Sequence, residues 1–226
     1  FWSYIKSKKQ EASGVAPLKN KDGFIHSNSD AKSEILNQQF SSVFTDEDLH
    51  SMPDMGPSQY PTMENIKIQC NGVRKQLNSL NPHKATGADS IPTAILKIAA
   101  DELAPILTRL FQRSLDDKMV PQDWRNAMVV PIFKKGEKHI PANYRPVSLT
   151  SVVCKVLEHI VYSSVMNFFE HNKILTQHQH GFRARRSCES QLLWTIQSIA
   201  SRLRGRGQFD VILLDFAKAF DRVPHQ

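Results

Sequence analysis

Apolar residues along this chain fall into two registers. Ile35, Leu36, Phe40, Val43 and Phe44 are spaced as one face of a helix, with Asp30 placed to cap it. Val73, Leu77 and Leu80 repeat that spacing behind Asn71, a second capping residue, and residues 66–70 ahead of them read as a short strand. Two more helical runs follow, Ile95 to Ala99 and Leu103 to Phe111. A cap at Asp101 would put Pro105 near the first turn, where its missing N–H does least harm. The most sustained pattern runs through Val153, Val156, Leu157, Ile160, Val161, Val165, Phe168 and Phe169, leaving Lys155, Glu158, His159 and Glu170 for the other face. Another helix begins near Ser187 and carries Leu192, Ile196, Ile199 and Leu203. The second register is unbroken. Ala127 to Phe133 reads as a strand, with Pro131 favouring a sheet edge, and Phe209 to Phe216 as a strand buried on both faces.

Between these runs lies turn chemistry. Residues 11–23 hold Gly14, Pro17 and Asp22-Gly23 and read as a connector, while the acidic, Met- and Pro-containing residues 46–63 break all periodicity and predict a mobile linker. Residues 80–89 are loop-forming throughout, with Lys84 the one cation among them. Helices dominating beside a few strands predict an α+β chain. Its expected divisions are a helical connector and linker (1–63), a largely helical segment (64–125), a mixed segment (126–208) and a final strand (209–226).

Composition narrows this further. The 226 residues hold 29 Lys and Arg against 22 Asp and Glu, a net charge of +7, with 40% hydrophobic and 23% charged residues. That is ordinary globular usage with a cationic bias. No uninterrupted apolar stretch reaches the roughly 18 residues expected of a spanning helix. The start, Phe1-Trp2-Ser3-Tyr4, has no signal-peptide pattern, so a soluble piece of a longer protein with no membrane partner is expected. Cys70, Cys154 and Cys188 are odd in number and widely spaced, which predicts thiols in a reducing, intracellular setting.

Three features could carry chemistry. Asp215 ends the last apolar run; it could be a carboxylate delivered by a strand to a metal, or simply the cap of whatever follows. Between Gly181 and Gln208 six arginines (183, 185, 186, 202, 204 and 206) stand against the single acid Glu189, which suits a phosphate track or a solvated helix end. Lys134-Lys135 after the first strand and Arg145 on the return could close on a polyphosphate, or cap a charged hairpin. His178-Gln179-His180 has no zinc-like spacing, and no Walker-type loop, dinucleotide fingerprint or nucleophile elbow is present.

Taken in order, four blocks resemble those of the non-LTR (LINE-type, jockey-like) retrotransposon reverse transcriptases. They are L-N-P-H-K-A-T-G-A-D-S-I-P (80–92), V-P-I-F-K-K-G with N-Y-R-P-V-S-L-T-S (130–136 and 143–151), Q-H-G-F-R-A-R-R-S-C (179–188) and V-I-L-L-D-F-A-K-A-F-D-R-V-P-H (211–225). The resemblance implies a right-hand polymerase fold. Its parts would be a connector, an N-terminal extension over 64–125, fingers over 126–208, and the first palm strand, truncated, from 209.

The same resemblance implies an RNA-directed DNA polymerase working on an RNA template, a DNA primer and dNTPs with two Mg2+ ions. Asp215 and the Phe216 carbonyl would be metal ligands, with Asp215 the catalytic carboxylate. Lys134, Arg145 and Phe220 would hold the incoming nucleotide, Phe220 by excluding a 2′-hydroxyl. Lys84, Gly181, Arg183, Arg185 and Arg186 would touch nucleic acid, and Asp221 would be structural. The family's remaining carboxylates lie in a later motif that this sequence does not reach, so the 226 residues are expected to be an inactive fragment. The alternative is a non-catalytic RNA-binding remnant or domesticated module; an intron-maturase-like relative fits less well. An endonuclease domain ahead of Phe1 and a nuclear and cytoplasmic ribonucleoprotein setting are further implications of the family.

Overall fold

Asn20 turns the chain back on itself near its start. Its Oδ1 accepts the backbone N–H groups of Asp22 and Phe24 at 3.1 and 2.9 Å, Gly23 takes a φ of +93°, and β1 (Leu18–Lys19) pairs antiparallel with β2 (Ile25–His26). The sequence reads this stretch only as a connector, because two-residue strands carry no periodicity. The structure is a computed structural model that describes residues 14–46, 54 and 56–223. The aromatic and basic start of the chain, and the linker expectation over residues 47–53 and 55, lie outside the described residues.

Helix α1 (Ser29–Ser41) is capped by Asn28 rather than Asp30. The Asn28 Oδ1 accepts from the N–H groups of Asp30 and Ala31, and Asp30 falls in the first turn, where its charge complements the helix dipole. The strand expected over 66–70 does not form. The Ile68 N–H instead donates to Gln112 Oε1 at 2.9 Å, and α2 (Cys70–Ser79) starts at Cys70 behind Gln69, so Asn71 is already helical. A short strand needs a neighbouring backbone, and here a side chain takes its place.

α3 (Thr93–Ile98) and α4 (Ala100–Asp116) follow. Ala99 is the cap of α4, and Asp101 lies within the helix, paired with Arg74 at 2.8 Å. Val73 and Leu77 of α2 and Ala100, Ala104, Leu107 and Phe111 of α4 are buried where the two helices pack, and α5 (Gln122–Arg125) sets Trp124 edge-on to Phe111 at 5.5 Å.

β3 (Ala127–Phe133) and β4 (Tyr144–Thr150) form the antiparallel hairpin that the apolar run and its polar bounds predict. Pro131 lies opposite Pro146, so neither proline breaks a ladder hydrogen bond that a partner needs. Phe133 and Tyr144, 5.6 Å apart, face Leu18 and Leu36 in a small core. α6 (Val152–His171) matches the longest helical pattern. By length and composition it could cross a membrane, which the sequence expectation did not foresee, but its first turns bury Val152, Val153, Cys154, Val156 and Leu157. α7 (Cys188–Arg204) is capped by Ser187 in a reciprocal box with Ser190.

The elements are helices with two small hairpins, an α+β chain. By compactness it divides into two units, Phe1–Met52 with Ile68–Glu158 and Lys218–Gln226, and Pro53–Lys67 with His159–Ala217. A second strand expectation also fails. Residues 209–216 form no strand, and Ile212, Leu213, Leu214 and Phe216 are 83, 91, 90 and 84% exposed. A strand apolar on both sides needs paired backbone on both edges, and among the described residues none lies beside it.

Candidate nucleic-acid interface

Alternation along β3 separates the hairpin into two faces. Val129, Pro131 and Phe133, with Tyr144, Pro146 and Ser148 opposite them, face α1. The other face carries Ile132 and, directly opposite it, Arg145. Lys134 is two residues beyond Ile132 and its N–H donates to the Asn143 carbonyl at 2.9 Å, which extends the pairing by one step. Lys134 and Arg145 therefore leave the hairpin on one face as diagonal neighbours, both exposed, whereas Lys135 lies past the last paired position, in the bend that opens the loop. The connecting loop is stitched down. Asn143 Nδ2 donates to the Glu137 carbonyl at 2.9 Å, Tyr144 Oη to the Lys138 carbonyl at 2.7 Å, and Gly136 takes a φ of +89°.

Lys84 lies exposed in the loop between α2 and α3. Sequence reasoning singled out the lysine and missed the glycine behind it. Gly87 is buried against the junction of β4 and α6, where a Cβ would lie 2.4 Å from the Thr150 carbonyl oxygen. The Lys97 Nζ donates to the Leu80 carbonyl at 3.0 Å and ties the start of the same loop to α3.

In the second unit the arginine-rich loop 172–187 is anchored at both ends. α6 terminates with Lys173 at a φ of +52°, the Ile174 N–H reaching back to Phe169 and the Lys173 N–H to Glu170, a Schellman closure. Arg183 was expected on a template phosphate. Its Nε and Nη2 instead donate to the two Glu170 carboxylate oxygens at 2.8 and 2.6 Å, and its Nη1 to the Thr176 and Gln179 carbonyls at 2.7 and 3.4 Å. The hydrogen bond from Arg183 holds the Glu170 carboxyl below its ordinary range. Arg186 Nη1 donates to the Gln177 carbonyl at 2.7 Å and lies 3.2 Å from His180 Nε2. Arg185 is exposed, at a φ of +61°, and Gly181 is exposed beside Phe182 at +59°. Glu170, His180 and Ser190 are residues the sequence reading did not select; the recurrence of Glu and His beside an arginine cluster was the only hint.

Asp215 lies in the second unit, exposed, on the unpaired 209–216 segment beside Phe216. Phe220 belongs to the first unit, where the Thr45 hydroxyl donates to the Arg222 carbonyl at 2.6 Å and holds this stretch near the end of α1. Phe220 and Asp221 line a cavity of about 690 Å³ with Phe40, Phe44, Val129 and Pro131. That is the face of the hairpin opposite Lys134 and Arg145, so the three expected nucleotide-binding residues are not brought together. No group of three or more His, Cys, Asp or Glu side chains placed to hold a metal ion occurs among the described residues. Asp215 with the Phe216 carbonyl does not by itself make a two-ion site.

Residues 132–226 match the family described as "Reverse transcriptase (RNA-dependent DNA polymerase)". The probable RNA-directed DNA polymerase from transposon X-element of Drosophila melanogaster is 31% identical over 144 residues, 63% of this chain and 16% of that protein. The probable RNA-directed DNA polymerase from transposon BS of the same species is 24% identical over 237 residues, covering 100% of this chain and 26% of its own length. The RNA-directed DNA polymerase from mobile element jockey of Drosophila funebris is 24% identical over 233 residues, covering 100% and 25%. The chain spans about a quarter or less of the length of these curated relatives. Over these stretches the chain is similar in sequence to the RNA-directed DNA polymerases of transposable elements.

Proposed function

We propose that this relative of the transposon reverse transcriptases belongs to an RNA-directed DNA polymerase, and that the stretch in hand supplies its cationic surfaces for nucleotide and template. The observation that carries the reading is the shared face of Lys134 and Arg145 on a hairpin whose loop is pinned by Asn143 and Tyr144. A triphosphate laid on that face meets a point charge and a planar fork, and as a primer hydroxyl displaces pyrophosphate these cations offset the charge that builds on the leaving group. Lys84 and Arg185, both exposed, supply phosphate contacts along the template, and Gly181 lets backbone approach closely. Phe220 is not included, because it lies on the opposite face.

Nucleotidyl transfer of this class uses divalent ions, and Asp215 with Phe216 is the set this chain would contribute. Among the described residues no group of three or more His, Cys, Asp or Glu side chains forms there. That arrangement favours a chain that binds nucleic acid without polymerising. The test is a purified 226-residue chain given an RNA template, a DNA primer and labelled dNTP. Binding that weakens steeply with salt, without incorporation, is expected. Incorporation abolished by Asp215→Ala would show that the chain is catalytic as it stands, and salt-insensitive or absent binding would remove the interface.

A further inference from the structure

The three arginines of the 172–187 loop differ in what they touch, and the backbone explains how. Phe182 and Arg185 both take left-handed φ, +59° and +61°, a conformation that crowds the Cβ of a non-glycine residue against its own backbone. Reversing the chain twice within four residues places Arg183 and Arg186 against the protein and leaves Arg185 outside. All three nitrogens of the Arg183 guanidinium have protein acceptors, and its side chain is only 9% exposed, so a phosphate could reach it only by displacing Glu170.

The Arg186 side is equally determined by donor and acceptor counting. A guanidinium can only donate, so His180 Nε2 is the acceptor towards Arg186, and Nδ1 on the other side of the ring lies 2.7 Å from Ser190 Oγ. Ser190 Oγ in turn donates to the Ser187 carbonyl and accepts the Ser187 N–H, both at 2.9 Å. The loop is thus locked to α6 through Glu170 and to the first turn of α7 through His180. Arg185, by contrast, has no hydrogen-bond or ion-pair partner among the described residues.

We infer that Arg183 and Arg186 are positioning residues, acting through Glu170 and His180, and that Arg185 is the cation this loop presents to a nucleic-acid phosphate. The inference rests on the nucleic-acid reading above. Locked loops of this kind lower the ordering cost of binding, which is what makes strained backbone worth keeping at an interface.

The test uses the 226-residue chain, a single-stranded RNA oligonucleotide and a salt series, with amide exchange over residues 176–187 as a readout that needs no RNA. Arg185→Gln should weaken binding roughly fivefold to tenfold near 0.1 M salt and lower the salt slope by about one, with exchange unchanged. Arg183→Glu and Glu170→Arg singly should speed exchange in the loop and weaken binding. The double swap Glu170→Arg with Arg183→Glu should restore both, because it rebuilds the pair and leaves Arg185 alone. A swap as weak as Arg183→Glu, with Arg185→Gln inert, would overturn the assignment and make Arg183 the contact. Unchanged exchange in Glu170→Arg would overturn the clamp. A wild-type chain that binds no RNA at any salt would overturn the interface, and Arg185's role with it, while the exchange data still decide the clamp.

Discussion

Gly87 sits so close to the end of β4 that a Cβ on it would lie 2.4 Å from the Thr150 carbonyl oxygen and 2.6 Å from the Ser151 nitrogen. Both are backbone atoms of a paired strand and a helix start, so neither can swing aside. Gly87→Ala must lift the 80–92 loop, and overpacking of this kind costs about 1–3 kcal/mol. A lowered urea midpoint is the expected result. Full stability in the variant would mean that the loop is not seated there. Because the loop carries Lys84, the same variant should also bind RNA more weakly than Gly72→Ala, whose added Cβ meets nothing closer than 4.0 Å.

The hairpin makes a prediction that sequence alone left open. Lys134 and Lys135 are adjacent, yet only Lys134 continues the pairing of the hairpin on the Arg145 face, while Lys135 falls in the bend beyond it. Lys134→Ala and Arg145→Ala should each weaken dNTP or tripolyphosphate binding, measured by calorimetry, by roughly threefold to fivefold, as expected for exposed charge contacts. Lys135→Ala should leave it nearly unchanged. Equal effects of the two lysines would dismiss the face argument.

The Glu170 clamp should respond to acid in a defined direction. Arg183 lowers the Glu170 pKa in the folded chain, so the pair contributes its stability above the unfolded value near 4.5 and loses it as pH falls through the lower folded value. The difference in melting temperature between wild type and Glu170→Gln should be constant above about pH 5.5 and shrink below about pH 4.5. A difference that grows on acidification would have the wrong sign.

Two cysteines should part company under alkylation. Cys154 is buried and donates to Glu158 Oε1 at 3.4 Å; burial, then the Glu158 charge, push its pKa up to about 11. Cys188 is exposed at the first position of α7. At pH 8 iodoacetamide should label Cys188 in the native chain and Cys154 only after unfolding, as read by peptide mass spectrometry. The raised value also means that the folded state loses ground as pH climbs from about 9 towards 11, because the unfolded thiol ionises first.

Much of the fold was legible because its signals are local. The 3.6-residue spacing through Val153, Val156 and Leu157 is the buried stripe in the first turns of α6, and Ser187 caps α7 where the pattern begins. The run from Ala127 to Phe133 is a strand because polar residues bound it and a return strand lies within reach. Caps were misplaced by two residues at α1, α2 and α4, since several neighbouring residues could serve and only the backbone geometry chooses among them.

Helix faces, the hairpin, the basic window and the resemblance to reverse transcriptases were written in the order of residues, where each depends on neighbours a few positions away. Tertiary structure alone decided three other matters. It determined that 209–216 stays unpaired, that Phe220 and Arg145 lie on opposite faces of one hairpin, and that Arg183 turns inward to Glu170 while Arg185 turns out. Each of these depends on a partner far along the chain or on a left-handed backbone angle. A strand's hydrogen bonds and a side chain's direction are properties of what lies opposite, which periodicity does not encode.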